Sequence, residues 1–374
     1  MLLKIFKNVW LRLPSWRALF YRPKKDSYLF LPINGAGLGH LTRSLAIAKK
    51  LRIVRPDAEI IFLTTSIGVP LVHRAGFICH HVTPSSLLNV GTIVWNRLFY
   101  QTLRSILSVH RPSILVFDGT VPYLALQRLM FSHKNIRYIW VKRGLYKEGV
   151  NRELLNSYVK RFDKVIAPGE LNDCPQSRGL DYKKVLPVNP ISLIDRDEIL
   201  SRPEAREALR LDKRPCAYVQ LGAGNINGIS DLQERLVGSL QRLGVQVVLG
   251  LSPISLSRQF SHGADKTIVD YPNSKYFSAF DFAVVAAGYN SVCEVVMLGL
   301  PAVFFPNIET GADDQAKRAM QACAFGRYEC MLDFDDEKFS SVVGRLLDGE
   351  AGGERYAREN GAIQAAKIIA LAAS

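Results

Sequence analysis

The chain has 374 residues, a length that suggests two domains at about 150 residues each and that can bury a large core without disulfide or metal staples. Hydrophobic residues make up 48% and charged residues 22%, which excludes intrinsic disorder. Lys and Arg outnumber Asp and Glu by 48 to 34, a formal net charge of +14, so an anionic partner is expected.

Residues 1–26 begin MLLKIFKNVWLRLPSWRALFYRPKK, with Lys4, Lys7, Arg12, Arg17, Arg22, Lys24 and Lys25 and no acid before Asp26. The charges interrupt the apolar residues, so the stretch is not a signal peptide, and no apolar run in the chain is long enough for a transmembrane helix. Bulky apolar groups, Trp10 and Trp16 among basic ones fit a segment lying in an anionic membrane interface. The plainer alternative is a first helix packed on the body with a basic wet face. Six cysteines, at 79, 174, 216, 293, 323 and 330, show no Cys-x-x-Cys spacing, which fits reduced thiols in a cytosolic protein.

From residue 28 onward, short apolar runs alternate with helical stretches, the pattern of a parallel sheet with crossover helices. The expected strands are 28–34, 59–65, 77–84, 113–119, 136–144, 162–168 and 184–190, with helices over 41–54, 92–109 and 121–131. A charged stretch at 193–214, holding the capping box Ser201-Arg-Pro-Glu204, reads as a linker. The rhythm then restarts: strands at 216–225, 245–252, 266–271, 282–288 and 301–307, helices at 291–299, 314–325, 337–348 and about 353–372. The expected fold is α/β: two tandem doubly wound domains, 27–195 and 196–374, with a cleft between them and the last helix free to pack back on the first.

Three glycine-rich turns follow strands. Gly35-Ala-Gly37-Leu-Gly39-His40 departs from a dinucleotide fingerprint, and no acid ends the second strand, so dinucleotide binding is not expected. His40 beside this helix start can take a proton from a hydroxyl, or can merely cap. Asp118, at the end of SILVFD, is its orienting partner, a rival base, or a plain turn residue. Gly222-Ala-Gly224-Asn225 can hold a phosphate oxygen on its amides or be a simple turn. After Gly288, a helix is expected to start near Asn290 or Ser291. Ser291-Val-Cys-Glu294 reads as a capping box, yet Glu294 can also accept bonds from ribose hydroxyls beside a helix terminus that favours diphosphate. Asp313, Asp314 and Gln315 open a further helix, as sugar ligands or as favourable acids at a helix start. Lys142 and Arg143 can meet an acceptor phosphate or serve solubility. Asp195/Asp197, Asp333/Asp335 and His80-His81 read as solvated or structural groups, so neither a metal nor a cofactor is expected. No nucleic-acid motif accompanies the basic surplus.

Residues 28–350 resemble the GT-B glycosyltransferases, and among them the group of the N-acetylglucosaminyltransferase that completes lipid II in peptidoglycan synthesis. The resemblance rests on GAGLGHLTRSLAIAKKL (35–51), GYNSVCEVVMLGLPAVFFPN (288–307) and DDQAKRA (313–319). It implies two Rossmann-like domains, an N-terminal one facing the acceptor and a C-terminal one binding the nucleotide sugar. It implies Glu294 at the ribose, Gln315 at the donor sugar, Asn290 and Ser291 at the diphosphate, and Gly37, Gly39, His40 and Arg43 on the acceptor and catalytic side. The implied activity is transfer, inverting and metal-independent, from a nucleoside-diphosphate sugar (UDP from the family) to a lipid-linked or cell-envelope glycan. The implied place is the cytoplasm, peripheral on the inner face of the cell membrane. The GH-x-x-R form with Arg43 also resembles nucleotide-sugar hydrolases of sialic-acid-like pathways, so a hydrolase or epimerase acting on a soluble UDP-sugar is the alternative.

Overall fold

In the computed structural model, residues 16–33, 37–150, 152–171, 184–222, 229–254, 263–310, 312–349 and 356–373 are described. Apolar runs that end at glycines and polar turns form strands buried on both faces, as expected where helices cover a parallel sheet. Seven of them are β1 (Lys24–Pro32), β2 (Glu59–Thr64), β3 (Ile78–His81), β4 (Pro112–Asp118), β5 (Arg137–Val141), β6 (Lys164–Pro168) and β7 (Val185–Val188). They pair in parallel in the order β3-β2-β1-β4-β5-β6-β7. A second sheet holds β8 (Cys216–Gln220), β9 (Gln246–Gly250), β10 (Lys266–Ile268), β11 (Phe282–Ala286), β12 (Ala302–Phe305) and β13 (Tyr328–Cys330). Its order is β10-β9-β8-β11-β12-β13, again parallel.

Eight helices matter here: α1 (Gly39–Val54), α2 (Thr92–His110), α3 (Leu124–Ser132), α4 (Ile229–Arg242), α5 (Tyr289–Leu298), α6 (Gln315–Cys323), α7 (Asp336–Leu347) and α8 (Gly361–Ala372). Alternation along β1 sends Leu29 and Leu31 to one face, where Trp95, Phe99 and Leu103 of α2 and Leu126 of α3 meet them. Tyr28 and Phe30 go to the other face, against Leu41, Leu45 and Ala48 of α1. The second sheet repeats this, with α5 and Phe304 on one side and α4, α7 and Phe305 on the other.

Three details depart from the sequence reading. β1 begins at Lys24, so the end of the basic segment is strand, and Lys24 is tied to Glu59 at 3.0 Å. The short strand β13, absent from the expected set, closes the second sheet. The last helix spans 361–372, capped by the Asn360 side chain at the Ala362 amide. It packs on the first sheet's side: Ala362, Ala365, Ala366 and Ile369 join the cluster around α1. The expected box Ser201–Glu204 is present in the link between the sheets. Residues 1–15 of the basic segment lie outside the described residues.

Candidate functional site

In each sheet the strand order reverses at one point, between β1 and β4 in the first and between β8 and β11 in the second. Ligands of open parallel sheets bind beyond the carboxyl ends of the strands at such points. Here the two reversal points face one another across a cleft of about 620 Å³. Gly37, Gly39, His40, Arg43 and Arg143 line it from the first half, and Gly222, Gly288, Asn290, Ser291 and Glu294 from the second. Tyr271 Oη donates to Thr42 Oγ1 at 2.8 Å, and Asn290 Nδ2 donates to the Gly39 carbonyl at 3.1 Å, tying the rims together.

β1 and β4 are in register at Pro32 and Asp118, so the carboxyl end of β4 lies beside that of β1. Asp118 is fully buried there: its Oδ1 accepts from His40 Nδ1 at 2.7 Å and from Arg43 Nη2, and its Oδ2 accepts from Arg43 Nε at 2.9 Å. Burial pushes the Asp118 carboxyl up, but the Arg43 charge and the His40 and Arg43 bonds outweigh it and hold its pKa below the usual range. The ionised Asp118 can only accept a hydrogen bond, which keeps the proton on His40 Nδ1 and leaves Nε2 as the acceptor. Burial lowers the His40 pKa further than Asp118 raises it, with Arg43 and Arg143 adding to the lowering, so the ring is neutral. A neutral imidazole with a bound Nδ1 proton is a proton acceptor at Nε2.

In the second half, Gly222 stands at φ +115°, a backbone that other residues rarely adopt. α5 starts at Tyr289 with Gly288 as its N-cap and no side-chain cap. The amides of Tyr289, Asn290 and Ser291 precede the first helical bond, Val292 N to Gly288 O. Glu294 is thus more than one turn inside the helix, and the expected capping box is not formed: Ser291 is the third helical residue, not the cap. Gly288, extended at φ −64° and ψ 150°, is the cap, so the helix starts at Tyr289, before Asn290. Burial pushes the Glu294 carboxyl up to about 7, with the Ser274 hydroxyl partly offsetting this.

Arg143 reaches the cleft from the end of β5, 3.2 Å from Asp313. Arg318 is buried and bonds both Glu170, at 2.8 and 3.1 Å, and Asp313. Burial would raise the Asp313 carboxyl, but Arg143 and Arg318 bring it down to about 2. The Tyr289 ring packs with Arg43, Arg143 and Arg318 at 5.1 to 5.8 Å. Its hydroxyl accepts from Ile191 N and donates to Gly169 O.

Several expected ligands have other work. Lys142 is buried under Trp140 and Tyr146, 3.5 Å from Asn156 Oδ1, because β5 alternation turns it inward where it turns Arg143 to the cleft. Asp314 caps α6 at the Lys317 amide, and Gln315 accepts from the Asn307 amide; neither lines the cleft. Gly224 and Asn225 lie outside the described residues. Asp195 is paired with Lys50 and Asn360, and Asp335 caps α7. Among the described residues no three metal-ligand side chains gather. The segment Asp270–Ser274 lines the cleft and was not singled out from the sequence; its only signal is the Pro-Asn pair after β10.

No family model matches the chain. A UDP-N-acetylglucosamine--N-acetylmuramyl-(pentapeptide) pyrophosphoryl-undecaprenol N-acetylglucosamine transferase of Nocardioides sp. is 29% identical over 311 residues, covering 76% of this chain and 79% of that protein. Its namesake in Salinibacter ruber is 25% identical over 343 residues, 88% and 90% of the two chains. Among solved structures, MurG of Acinetobacter baumannii matches at TM-score 0.58 with 16% identity, over 92% of this chain and 99% of that one. The glycosyltransferase of kitacinnamycin matches at TM-score 0.61 with 16% identity, over 94% and 99%. The chain has the GT-B fold of two Rossmann-like domains, and in sequence it is similar to N-acetylglucosamine transferases named for a pyrophosphoryl-undecaprenol substrate.

Proposed function

We propose that the protein is a glycosyltransferase that moves a sugar from a UDP-sugar to a lipid-linked acceptor at the membrane surface. The observation that carries this reading is the His40 ring, held by the buried Asp118–Arg43 pair, lining the same cleft as the uncapped start of α5. The relatives' printed names supply the donor and acceptor classes. Residues 27–195 form the acceptor side and 196–374 the donor side in this reading.

The acceptor hydroxyl gives its proton to His40 Nε2 while its oxygen attacks the anomeric carbon. The bond to the diphosphate breaks on the opposite face, and UDP leaves with the electron pair, which inverts the configuration. Arg43 keeps Asp118 ionised, and Asp118 opposes the positive charge that His40 gains. The free amides of residues 289–291, the turn at Gly222 and the Arg143 guanidinium meet the charge growing on the diphosphate. Glu294, one turn further along α5, accepts from the ribose hydroxyls. Residues 1–25, basic and aromatic, hold the protein at an anionic membrane as a peripheral protein of the cytoplasmic face; among the described residues no helix is long and apolar enough to cross.

Labelled UDP-N-acetylglucosamine incubated with a bacterial lipid extract tests this. Label passing into the organic phase is the expected result. Label released only to water would overturn the transferase in favour of hydrolysis.

A further inference from the structure

A positively charged cavity outside the cleft lies at the other end of the first sheet. The cavity, of about 580 Å³, opens at the foot of β1 and β4, lined by Arg22, Arg104 and Arg111 with Tyr21, Gln101 and His133. No carboxylate lines it among the described residues, and residues 1–15 contain none. The floor is fixed: Tyr21 Oη donates to the Pro112 carbonyl at 2.7 Å, and the Lys24 amide donates to the Arg111 carbonyl at 2.7 Å. The buried His133 ring meets Tyr21 edge-on at 5.4 Å. Burial, then the Arg104 charge, pushes the His133 pKa down to about 4, so this ring adds hydrogen-bonding capacity without charge.

Arg111 is the telling residue. It ends α2 in the left-handed region at φ +48°, a position where glycine is the usual choice and a long side chain is disfavoured. Arg210 takes the same conformation at φ +50°, so what singles Arg111 out is its place in the cavity wall. Beside the cavity Leu19 is 75% exposed and Phe20 71%, apolar groups next to a cationic pocket.

We propose that this cavity is a binding site for the phosphate of an anionic phospholipid headgroup, with Phe20 and Leu19 entering the interface beside it. The choice of a lipid source rests on the membrane reading above; binding of an anion does not. The site is distinct from the cleft, since β4 separates them by seven residues, about 20 Å of strand. α2 runs from the cleft end to this foot over 19 residues, about 28 Å. A membrane lying along α2, whose Val94 and Leu98 are also exposed, therefore reaches both ends.

The test is flotation of the full chain with vesicles of phosphatidylglycerol and phosphatidylcholine. The pair Arg104→Gln and Arg111→Gly is compared with Lys213→Gln and Lys338→Gln, which removes the same charge from exposed sites in the second half. The cavity pair is expected to lower the bound fraction at least five-fold and the control pair less than two-fold, with UDP binding unchanged in both. Arg111→Gly, which suits that backbone, is expected to keep or raise the Tm; Arg104→Gln alone gives the same direction if the pair is unstable. Equal losses in the two pairs would overturn the site. So would loss of glycerol 1-phosphate binding with vesicle binding intact, which would assign the cavity to a free phosphate. A UDP-release defect with normal flotation would instead point to the cleft and contradict the proposal.

Discussion

At pH 8 Glu294 carries its charge where burial resists it. Its carboxyl titrates near 7 in the folded chain and near 4.5 when unfolded. Well below pH 4.5 both forms are protonated and nothing is lost. As pH rises to 7 the unfolded chain releases its proton first, so folding is progressively disfavoured, by up to ~3 kcal/mol above pH 7. Because one side of Glu294 opens on the cleft, about 1–2 kcal/mol is the expected scale. Glu294→Gln should therefore raise stability to urea at pH 8 and leave it nearly unchanged at about pH 3.5, well below the unfolded value, while weakening UDP-sugar binding. Equal effects at both pH values would contradict a raised carboxyl. Such a trade of stability for binding is expected where a site holds an uncompensated charge. The sequence exposed His40 and Asp118 because they stand at or just after the ends of apolar strands, and Glu294 through a cap-like Ser291–Glu294 pair and the family resemblance. It did not expose how Arg43 is used. The family resemblance placed Arg43 on the acceptor and catalytic side; the structure buries it beside His40 as the partner of Asp118.

Elements were legible wherever an apolar run was long enough. The seven strands of the first sheet and five of the second follow from such runs. β13, three residues reading Tyr-Glu-Cys at the sheet edge, has neither length nor apolarity to announce itself. The start of α5 was misplaced because Ser291 and Glu294 imitate a cap, while the true cap, Gly288, has no side chain to signal it. α8 was expected as an Ala-rich helix, and its alanines explain how closely it sits on α1. At its first residue, Gly361, a methyl group would fall 1.9 Å from the Asn189 carbonyl oxygen, a backbone atom that cannot swing aside. Gly361→Ala should destabilise the protein by about 1–3 kcal/mol, the usual scale of overpacking, read as a lower urea midpoint. An unchanged midpoint would show that α8 is not locked against the β7 end.

At the scale of the whole molecule, two sheets built alike present their reversal points to each other, and the cleft inherits a division of labour from that. The first half brings a proton acceptor, the second an uncapped helix start. The halves are joined by charge as well as by chain: Arg318 of α6 pairs with Glu170, which follows β6, while Arg143, near the end of β5, pairs with Asp313. Lys147 donates to the carbonyls of Ile308 and Thr310, both at 2.5 Å, on the same seam. None of these pairs is visible in the sequence, because partners 148 to 170 residues apart carry no local pattern. What the glycine turns did convey was the location of the cleft, since tight turns after strands mark where a parallel sheet meets its ligands.

The central claim is that His40 receives the acceptor proton. Its most direct test is the rate of UDP release from UDP-N-acetylglucosamine in the presence of the lipid acceptor, measured for the native chain and for His40→Ala, with UDP affinity measured alongside. A fall in kcat of about 10²–10⁴-fold, the scale of a lost general base, is expected, with UDP affinity changed by less than about three-fold. Full turnover in His40→Ala, with UDP still bound in the cleft, would contradict it.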